Sequence, residues 1–551
     1  MKIAILIREF ESLSNWELRI VDEILKDPNL DLSLLIKDGR SQNNSPNSSI
    51  SRFKRALRSG NLIGKILYSI HHKIESFLFK QKITVDKKFI KNELSNIEQI
   101  YLSPKRKGFL DIFSSKDSDQ IKAYNIDIIL RHEFNIIKGE ILDAAKYGIW
   151  SFHHGDNSIN RGGPPGFWEI VLKNPTIGVT LQKLTPELDG GYIIDKAFYN
   201  IHWSFVNIRN IIYESSVVML FKNIKKISGE NLQPQKSTVY YNPLYKIPKP
   251  TFLFKYLINF YSSLFEIISR KIQYELFGIR YNCWTLFIGE GNFFDSTLFR
   301  LKPTPLPKHE FWADPFILNH KGNNYVFFEN YNYKKKKGKI SCGKIINNEI
   351  TDVVDVIENS YHLSFPFIFK HDNEIFLMPE SEANNRLEIY KCIDFPSHWE
   401  LHATAFEGEK ILDPIIYTDK NDNKWLFLNK VYGKKIPMNN SELYIYKINS
   451  MDLSDLIPHK NNPVIIDSRV ARNGGPIFEY QNQVYRPSQA NVDGIYGKGL
   501  NVNKINKLTI DEYIEETVIT TYPNFKEGLS AMHHLHQSKG LFIIDAAYKK
   551  Y

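Results

Sequence analysis

The feature that most constrains this chain is a repeat that begins beyond Cys283. Each copy opens on a proline flanked by apolar residues, crosses a polar turn and returns as a run with alternating aromatics. The copies are Ala313-Asp314-Pro315-Phe316-Ile317 with Tyr325–Glu329, Phe365-Pro366-Phe367-Ile368 with Ile375–Leu377, Asp413-Pro414-Ile415-Ile416 with Trp425–Phe427, and Gly475-Pro476-Ile477-Phe478 with Val484-Tyr485. A degenerate fifth is Ser530–His534 with Leu541–Ile544. Pro315, Pro366, Pro414 and Pro476 lie 51, 48 and 62 positions apart. A period near 50 residues with several short strands per copy predicts a propeller, because one such unit cannot bury its apolar face alone. Five copies predict an all-β, five-bladed β-propeller over residues 281–551. A β-sandwich of hairpins is the alternative for the same strands.

Residues 1–205 follow a different rule. Ile3–Ile7, Leu32–Ile36, Ile126–Leu130 and Ile149–Phe152 read as short buried strands, and Trp16–Leu25 and Lys138–Ala145 have helical spacing. Strands alternating with helices predict a Rossmann-like α/β domain with a mainly parallel sheet. A basic insertion interrupts it at 40–90. Residues 52–88 hold ten Lys and Arg against Glu75 and Asp86, with apolar residues at helical spacing from Leu62 to Leu78. That pattern fits a solvated face on a packed helix, or a helix that meets a membrane surface or phosphate groups. Residues 206–280 read as a helical linker, with helices at Asn210–Ile227 and Phe254–Tyr274 separated by Pro243–Pro250.

Composition excludes several classes. Of 551 residues, 42% are hydrophobic and 24% charged, so global disorder and collagen-like structure are excluded. A net charge of +10 is compatible with nucleic acid, membranes or phosphorylated substrates and selects none. The signatures of phosphate-binding loops, dinucleotide sites and RNA-binding domains are missing from the sequence, so no nucleic-acid partner is expected. Cys283, Cys342 and Cys392 are isolated, which predicts neither a disulfide framework nor a zinc ribbon and fits a reducing cytoplasm. The histidine pairs at 71–72, 153–154 and 533–534 lack a third ligand at metal spacing, so no metal is expected. Thr251–Arg270 is apolar but contains Lys255 and Glu266, which argues against a spanning helix.

The densest polar chemistry runs from Ser151 to Pro165, starting where the strand Ile149–Phe152 ends. Open α/β sheets place ligands at that end of their strands. His153 is followed by Arg161-Gly162-Gly163-Pro164-Pro165, then Gly178-Val179-Thr180, then Asp189-Gly190-Gly191. These four blocks resemble, in register, those of the folate-dependent formyltransferases, a family that includes methionyl-tRNA and amino-sugar-nucleotide formyltransferases. The stretch Phe134–Leu142 is similar to the segment lining that family's folate pocket, and the resemblance covers about residues 90–215.

The resemblance implies 10-formyltetrahydrofolate as cofactor, with His153 polarising the formyl oxygen and Asp189 moving protons. Ser151 stands where the family has an Asn donor. Phe134, Ile136, Ile137, His154 and Asp156 would bind the cofactor, and Arg161 and Gly162 the substrate. The implied acceptor is an amino sugar on a nucleotide or a lipid, in surface-glycan synthesis. The protein is expected in the cytoplasm, with peripheral membrane contact an option.

The repeat region carries a second constellation. Trp312-Ala313-Asp314-Pro315 and Leu412-Asp413-Pro414 resemble five-bladed glycoside hydrolases, whose third acidic element is replaced here by Gly474-Gly475-Pro476. The region is also similar to the N-terminal domain of glucosamine inositolphosphorylceramide transferases. Asp314 and Asp413 are candidate substrate ligands. Glu329, Glu380, Arg472, Arg486, His533 and His534 would add sugar or phosphate contacts, with Trp312 as a stacking platform. Two readings compete with formyl transfer: a non-catalytic glycan-binding or scaffolding protein, and a glycosyl transferase or hydrolase borne by the propeller. Under a plainer reading, Asp314 and Asp413 cap turns.

Overall fold

The computed structural model describes residues 1–40, 61–80, 85–187, 190–227, 235–236, 239–431 and 441–551. The chain divides into two compact units. One comprises Met1–Ala197 and Ile201–Tyr261, the other Phe198–Asn200 and Ser262–Tyr551.

The first unit is built on a seven-stranded sheet. In chain order its elements are β1 (Lys2–Ile7), α1 (Asn15–Lys26), β2 (Asp31–Asp38), α2 (Leu62–Leu78), α3 (Lys87–Asn96), β3 (Gln99–Leu102), β4 (Lys105–Lys107), β5 (Leu110–Ile112), α4 (Ser115–Lys122), β6 (Ile128–Arg131), β7 (Ile136–Lys138), β8 (Ile149–His153), α5 (Phe167–Val171), β9 (Thr176–Lys183), β10 (Tyr192–Asn200), α6 (Phe205–Ile227) and α7 (Pro250–Phe277), the last shared with the second unit. The sheet order is β10-β9-β8-β6-β1-β2-β3. Strands β3, β2, β1, β6 and β8 run parallel, and β9 returns antiparallel along β8. β1 is buried on both faces, which is why Ile3–Ile7 is an unbroken apolar run rather than an alternating one.

The chain builds outward from β1 to β2 and β3 on one side, then crosses to β6 and β8 on the other. The topological switch therefore lies between β1 and β6, and the carboxyl ends of β6 and β8 flank it. That is the general ligand-binding position of such sheets.

Two expectations need correction here. Lys138–Ala145 does not form an α-helix: β7 ends at Lys138 and a 3₁₀ turn occupies Glu140–Asp143, after Gly139 takes a left-handed φ of 105°. Helix α6 is part of the first unit and not of a linker. Its residues are buried or half-buried on every side, polar ones such as Glu214, Ser216 and Asn223 included, and only Lys225 and Lys226 near its end are exposed.

The second unit holds five antiparallel sheets among the described residues. β11 (Tyr281–Glu290) comes first. The next sheet is β12 (Glu310–His320), β13 (Asn323–Asn332), β14 (Lys337–Ile346) and β15 (Glu349–Ile357). Another is β16 (Ser364–His371), β17 (Glu374–Glu380), β18 (Leu387–Asp394) and β19 (His398–Ala405). It is followed by β20 (Lys410–Thr418), β21 (Lys424–Val431), β22 (Glu442–Ile448), β23 (Leu456–Pro458) and β24 (Ile465–Ile466). Then come β25 (Phe478–Tyr480), β26 (Gln483–Val492), β27 (Ile495–Leu508) and β28 (Tyr513–Thr521). The last strands, β29 (Leu529–Ala531), β30 (Leu535–Ser538) and β31 (Leu541–Lys550), form a sheet with β11, so the first strand pairs with the last. Nine β11–β31 partners run from Tyr281–Lys550 to Glu290–Leu541.

The sequence repeat maps onto this pattern. In β12, β16 and β20 the ladder slips at the X-Pro step, between Ala313 and Phe316, Ser364 and Phe367, and Leu412 and Ile415. The residue before each proline has positive φ: 51° at Asp314, 45° at Phe365 and 44° at Asp413. Gly475, before Pro476, has φ 132°. A left-handed non-glycine residue costs roughly 1–2 kcal/mol, and the same bulge in three sheets turns the pre-proline side chain out of the ladder each time.

Candidate functional sites

In the first unit, three of the four motif blocks converge at the end of β8. His153 is the last residue of that strand and pairs with Thr180 of β9. Thr180 Oγ1 donates to the Gly155 carbonyl at 3.0 Å, which draws Gly178-Val179-Thr180 onto the loop after His153. A Cβ at Gly178 would come within 2.8 Å of the Asp156 backbone and side chain, so only glycine permits this approach. The third block closes through Asn160, whose Oδ1 accepts from Gly162 N–H at 2.8 Å and whose Nδ2 donates to Glu169 Oε1 at 2.9 Å. A Cβ at Gly162 would meet the Tyr245 carbonyl oxygen at 2.1 Å. Asp189, the fourth block, lies outside the described residues.

His153 Nε2 lies 2.5 Å from the Asn160 carbonyl oxygen. A carbonyl only accepts, so Nε2 carries the proton and donates it. Asp156 Oδ1 accepts from Lys196 Nζ at 2.6 Å and from the Ser158 hydroxyl at 2.6 Å and N–H at 3.0 Å. Burial works against its charge, but Lys196 and Ser158 outweigh that and hold its pKa below the ordinary carboxylate value. Arg161 Nε donates to the Asn157 carbonyl at 2.8 Å, and its guanidinium lies 4.6 Å from the Tyr240 ring centroid.

Ser151 is buried, and its hydroxyl accepts from Arg131 Nη1 at 3.0 Å. Arg131 Nη2 donates to the Phe134 carbonyl at 3.1 Å. Sequence reading did not single out Arg131. Its signal was a cation closing the apolar strand Ile128-Ile129-Leu130.

The residues expected to line a folate pocket separate into two groups. Ile136, His154 and Asp156 keep open surface. Phe134 and Ile137 belong to the hydrophobic core beneath the sheet. His154 sits in an aromatic box, with Tyr213 at 4.3 Å, Trp16 at 5.3 Å and Phe152 at 5.8 Å between ring centroids. The Ser216 hydroxyl spends its proton on the Ile212 carbonyl, so His154 donates to Ser216 Oγ at 3.2 Å through a neutral Nε2–H. Burial, with His153 as neighbour, pushes the His154 pKa down to about 3. The ring is held by aromatic neighbours and one hydroxyl while part of its surface stays open.

The second unit contains a buried ionic cluster drawn from every sheet. Asp314, Asp413 and Arg472 lie on or before first strands. Glu329, Glu380 and Asp545 occupy the next ladder position, opposite Ala313, Ser364 and Leu286. Arg472 binds Asp413 through Nε at 2.5 Å and Nη2 at 3.2 Å, and its Nη2 lies 3.5 Å from Glu380 Oε2. Asp413 Oδ2 also accepts from Gln489 Nε2 at 3.1 Å. His533 Nδ1 lies 2.8 Å from Asp545 Oδ1, its Nε2 lies 3.7 Å from Asp314 Oδ1, and its ring stacks on Trp284 at 3.9 Å.

The charges in this cluster are driven apart. Burial raises the pKa of Glu329 and Glu380 well above the ordinary value, and the neighbouring carboxylates add to the rise. Burial opposes the charge on Asp314, yet His533, His534 and Arg472 outweigh it and lower its pKa. His533 is raised, because Asp545 and Asp314 overcome burial. Neutral acids thus stand beside ionised ones.

Asp314, His533 and Asp545 each offer a ligand atom within 4.8 Å of the others, a spacing a divalent cation can bridge. Asp545 Oδ1 is however already taken by the N–H groups of His533 and His534 and by the His533 ring. Sequence spacing missed Asp545, which sits in an apolar strand more than ten residues from the histidines. Two other expectations are corrected. Trp312 is buried against Phe328 at 4.5 Å and offers no stacking platform. Arg486 is fully buried on Glu515 at 2.6 Å and the Val470 carbonyl at 2.7 Å, where it ties strands together. Asp314 and Asp413 bend the strand at a bulge rather than capping turns.

Residues 304–539 match the family model for the N-terminal region of glucosamine inositolphosphorylceramide transferase 1. The protein of that name from Oryza sativa subsp. japonica is 32% identical over 225 residues, 40% of this chain. Its counterpart in Arabidopsis thaliana is 31% identical over 234 residues, 41% of this chain. The chain spans 30% of the length of each of these relatives. A methionyl-tRNA formyltransferase from Clostridium botulinum (strain Alaska E43 / Type E3) is 27% identical over 121 residues, 21% of this chain and 39% of that protein. Among solved structures, a sugar N-formyltransferase from Shewanella sp FDAARGOS_354 overlaps 47% of this chain and 87% of its own, at 15% identity and TM-score 0.27. A thermostable family-43 glycoside hydrolase overlaps 45% and 90%, at 13% identity and TM-score 0.33. The curated relatives are transferases.

Proposed function

We propose that the first unit is a formyltransferase that uses 10-formyltetrahydrofolate to formylate the amino group of a sugar. The observation that carries this reading is the convergence of His153, Gly162 and Gly178-Val179-Thr180 on one loop at the carboxyl end of β8. His153 Nε2–H is the donor for the formyl oxygen. It now rests on a neutral carbonyl, and an oxygen gaining negative charge competes better for that proton. Arg131, bound to Ser151, supplies positive charge where the family has an amide. Asp189 takes the amine's proton.

The residues present suit the cofactor. Ile136 offers an apolar edge, Asp156 an ionised carboxylate for a pteridine amino group, and Arg161 a guanidinium for an anionic tail. When bound, the cofactor supplies the formyl group.

A second reading concerns the other unit, whose five sheets we read as propeller blades closed by the β11–β31 pairing. Its relatives are named for glucosamine and inositolphosphorylceramide. Glucosamine is an amino sugar, the acceptor class that formylation of an amine requires. Asp314, Asp413, Glu329, Glu380 and Arg472 are then a glycan-recognition cluster, or the carboxylates of a glycosyl-processing site.

Calorimetry with 5-formyltetrahydrofolate tests the first reading. Micromolar binding that weakens in Asp189→Ala and Arg131→Gln supports it, and a mass gain on an amino-sugar nucleotide completes it. No binding at millimolar ligand sinks it and leaves a glycan-binding or scaffolding protein. Asp314→Asn with full activity on a glycan substrate removes the glycosyl-processing form of the second reading.

A further inference from the structure

Helix α2 is inverted relative to an ordinary surface helix. Its inward face carries Gly64, Tyr68, His71 and Glu75, and its outward face carries Ile63, Ile66, Leu67, Ile70, Ile74, Phe77 and Leu78. The polar side is fixed by a buried knot. Glu75 accepts from the Tyr256 hydroxyl at 2.6 Å, from the Val206 N–H at 3.3 Å and from the Ser204 hydroxyl, and His71 Nε2 lies 2.8 Å away. His71 also packs edge-on to Tyr256 and Phe260. The helix cannot roll its apolar side inward without stripping a buried carboxylate of these partners and leaving its charge unpaired.

The neighbouring turns of α7 repeat the arrangement. Leu253, Tyr256 and Phe260 are buried, while Phe254, Ile258 and Tyr261 are exposed. Exposure across the two helices reaches 65% at Ile63 and Phe254 and 82% at Phe77. Ten large apolar side chains at helical spacing exceed what a surface in water ordinarily leaves uncovered.

We propose that this face docks on an anionic lipid surface. Charge decides the occupant. The only acid in α2 is the buried Glu75, and residues 250–261 contain none. The charged side chains flanking the exposed stripe are Lys65, Lys73 and Lys255. A second copy related by two-fold symmetry would set lysines against lysines with no carboxylate from these segments to meet them. An anionic leaflet takes both components, apolar side chains below the headgroups and ammonium groups among them. Among the described residues no helix is long and apolar enough to cross a membrane, so the helices lie in the interface plane.

Vesicle co-sedimentation of the full chain tests this. Phosphatidylcholine vesicles containing phosphatidylglycerol should pull the protein down, and phosphatidylcholine alone should do so at least tenfold less well. Ile70→Glu with Ile74→Glu, both at exposed positions, should lower partition tenfold or more with an unchanged circular dichroism spectrum. Lys65→Gln with Lys73→Gln should lower it about fivefold per lysine on anionic vesicles only. Wild-type protein that stays in the supernatant with both vesicle types overturns the proposal. So does a lipid-free dimer that Ile70→Glu with Ile74→Glu splits, which would assign the face to a second copy. If the isoleucine variant unfolds, the lysine variant decides alone, and binding indifferent to it and to phosphatidylglycerol refutes the lipid assignment.

Discussion

Replacing His154 by phenylalanine separates a packing histidine from a cofactor ligand. The ring lies among Trp16, Phe152 and Tyr213, and its polar contact is Ser216. Phenylalanine keeps the shape and loses that hydrogen bond, a loss of about 1 kcal/mol at neutral pH. Acid reverses the order. Folding holds the imidazole neutral, lowering its pKa from 6.5 to about 3. Below pH 6.5 the unfolded chain binds a proton that the folded chain refuses, so the contribution of His154 is complete above 6.5 and falls as pH drops. Each unit is worth about 1.4 kcal/mol, so at pH 4 the wild type should have lost about 3 kcal/mol that the variant keeps. The two stability curves should therefore cross between about pH 6 and pH 5. Urea titrations of both proteins at half-unit intervals, read by hydrogen exchange in β8 and α6, measure this. Curves that stay parallel down to pH 4 would refute the argument. Loss of 5-formyltetrahydrofolate binding in the variant at pH 7.5, with the fold intact, would return His154 to the cofactor site.

Other perturbations address the remaining contacts. Arg472→Met strands Asp413 without its bidentate partner and should destabilise the second unit by about 3–5 kcal/mol; adding Asp413→Asn should recover at least half, as measured by urea-dependent hydrogen exchange in β20 and β26. Gly162→Ala drives a Cβ into the Tyr245 carbonyl, and thermal unfolding should report a loss of about 1–3 kcal/mol together with weakened analogue binding. Under the proposed formyl transfer, Arg131→Gln should reduce turnover by about 100-fold or more, the usual loss for one charge-stabilising donor, whereas Ser151→Ala should reduce it less, because the serine acts through the arginine whose Nη1 it accepts from. Glu380→Gln should be close to neutral at pH 5 and stabilising at pH 8. The wild-type carboxyl has a pKa raised by burial, so stability it contributes in acid is lost as pH rises through that value.

What the sequence made legible follows from which physical signals are one-dimensional. The proline-centred repeat showed because three of the sheets place a pre-proline residue in the left-handed region at the same ladder position, and a local backbone requirement leaves a local mark. The unbroken run Ile3–Ile7 showed because a strand covered on both faces has no polar side. Arg131 and Asp545 were missed because each acts across a strand pairing, Arg131 on Ser151 of β8 and Asp545 on His533, and no spacing rule along the chain encodes that. Trp312 was misread because an aromatic beside an acidic motif looks the same whether it lines a groove or fills a core. Helix α2 is the sharpest case. Periodicity near 3.6 identified its apolar stripe, but a stripe has no sign, and the same spacing serves a helix that turns it inward or outward. What fixes the sign here is Glu75, held by Ser204 just before α6, by Val206 in α6 and by Tyr256 in α7. The buried carboxylate with its three donors sets which side of the helix faces inward, and that contact joins residues far apart in the chain, where no periodicity can register it.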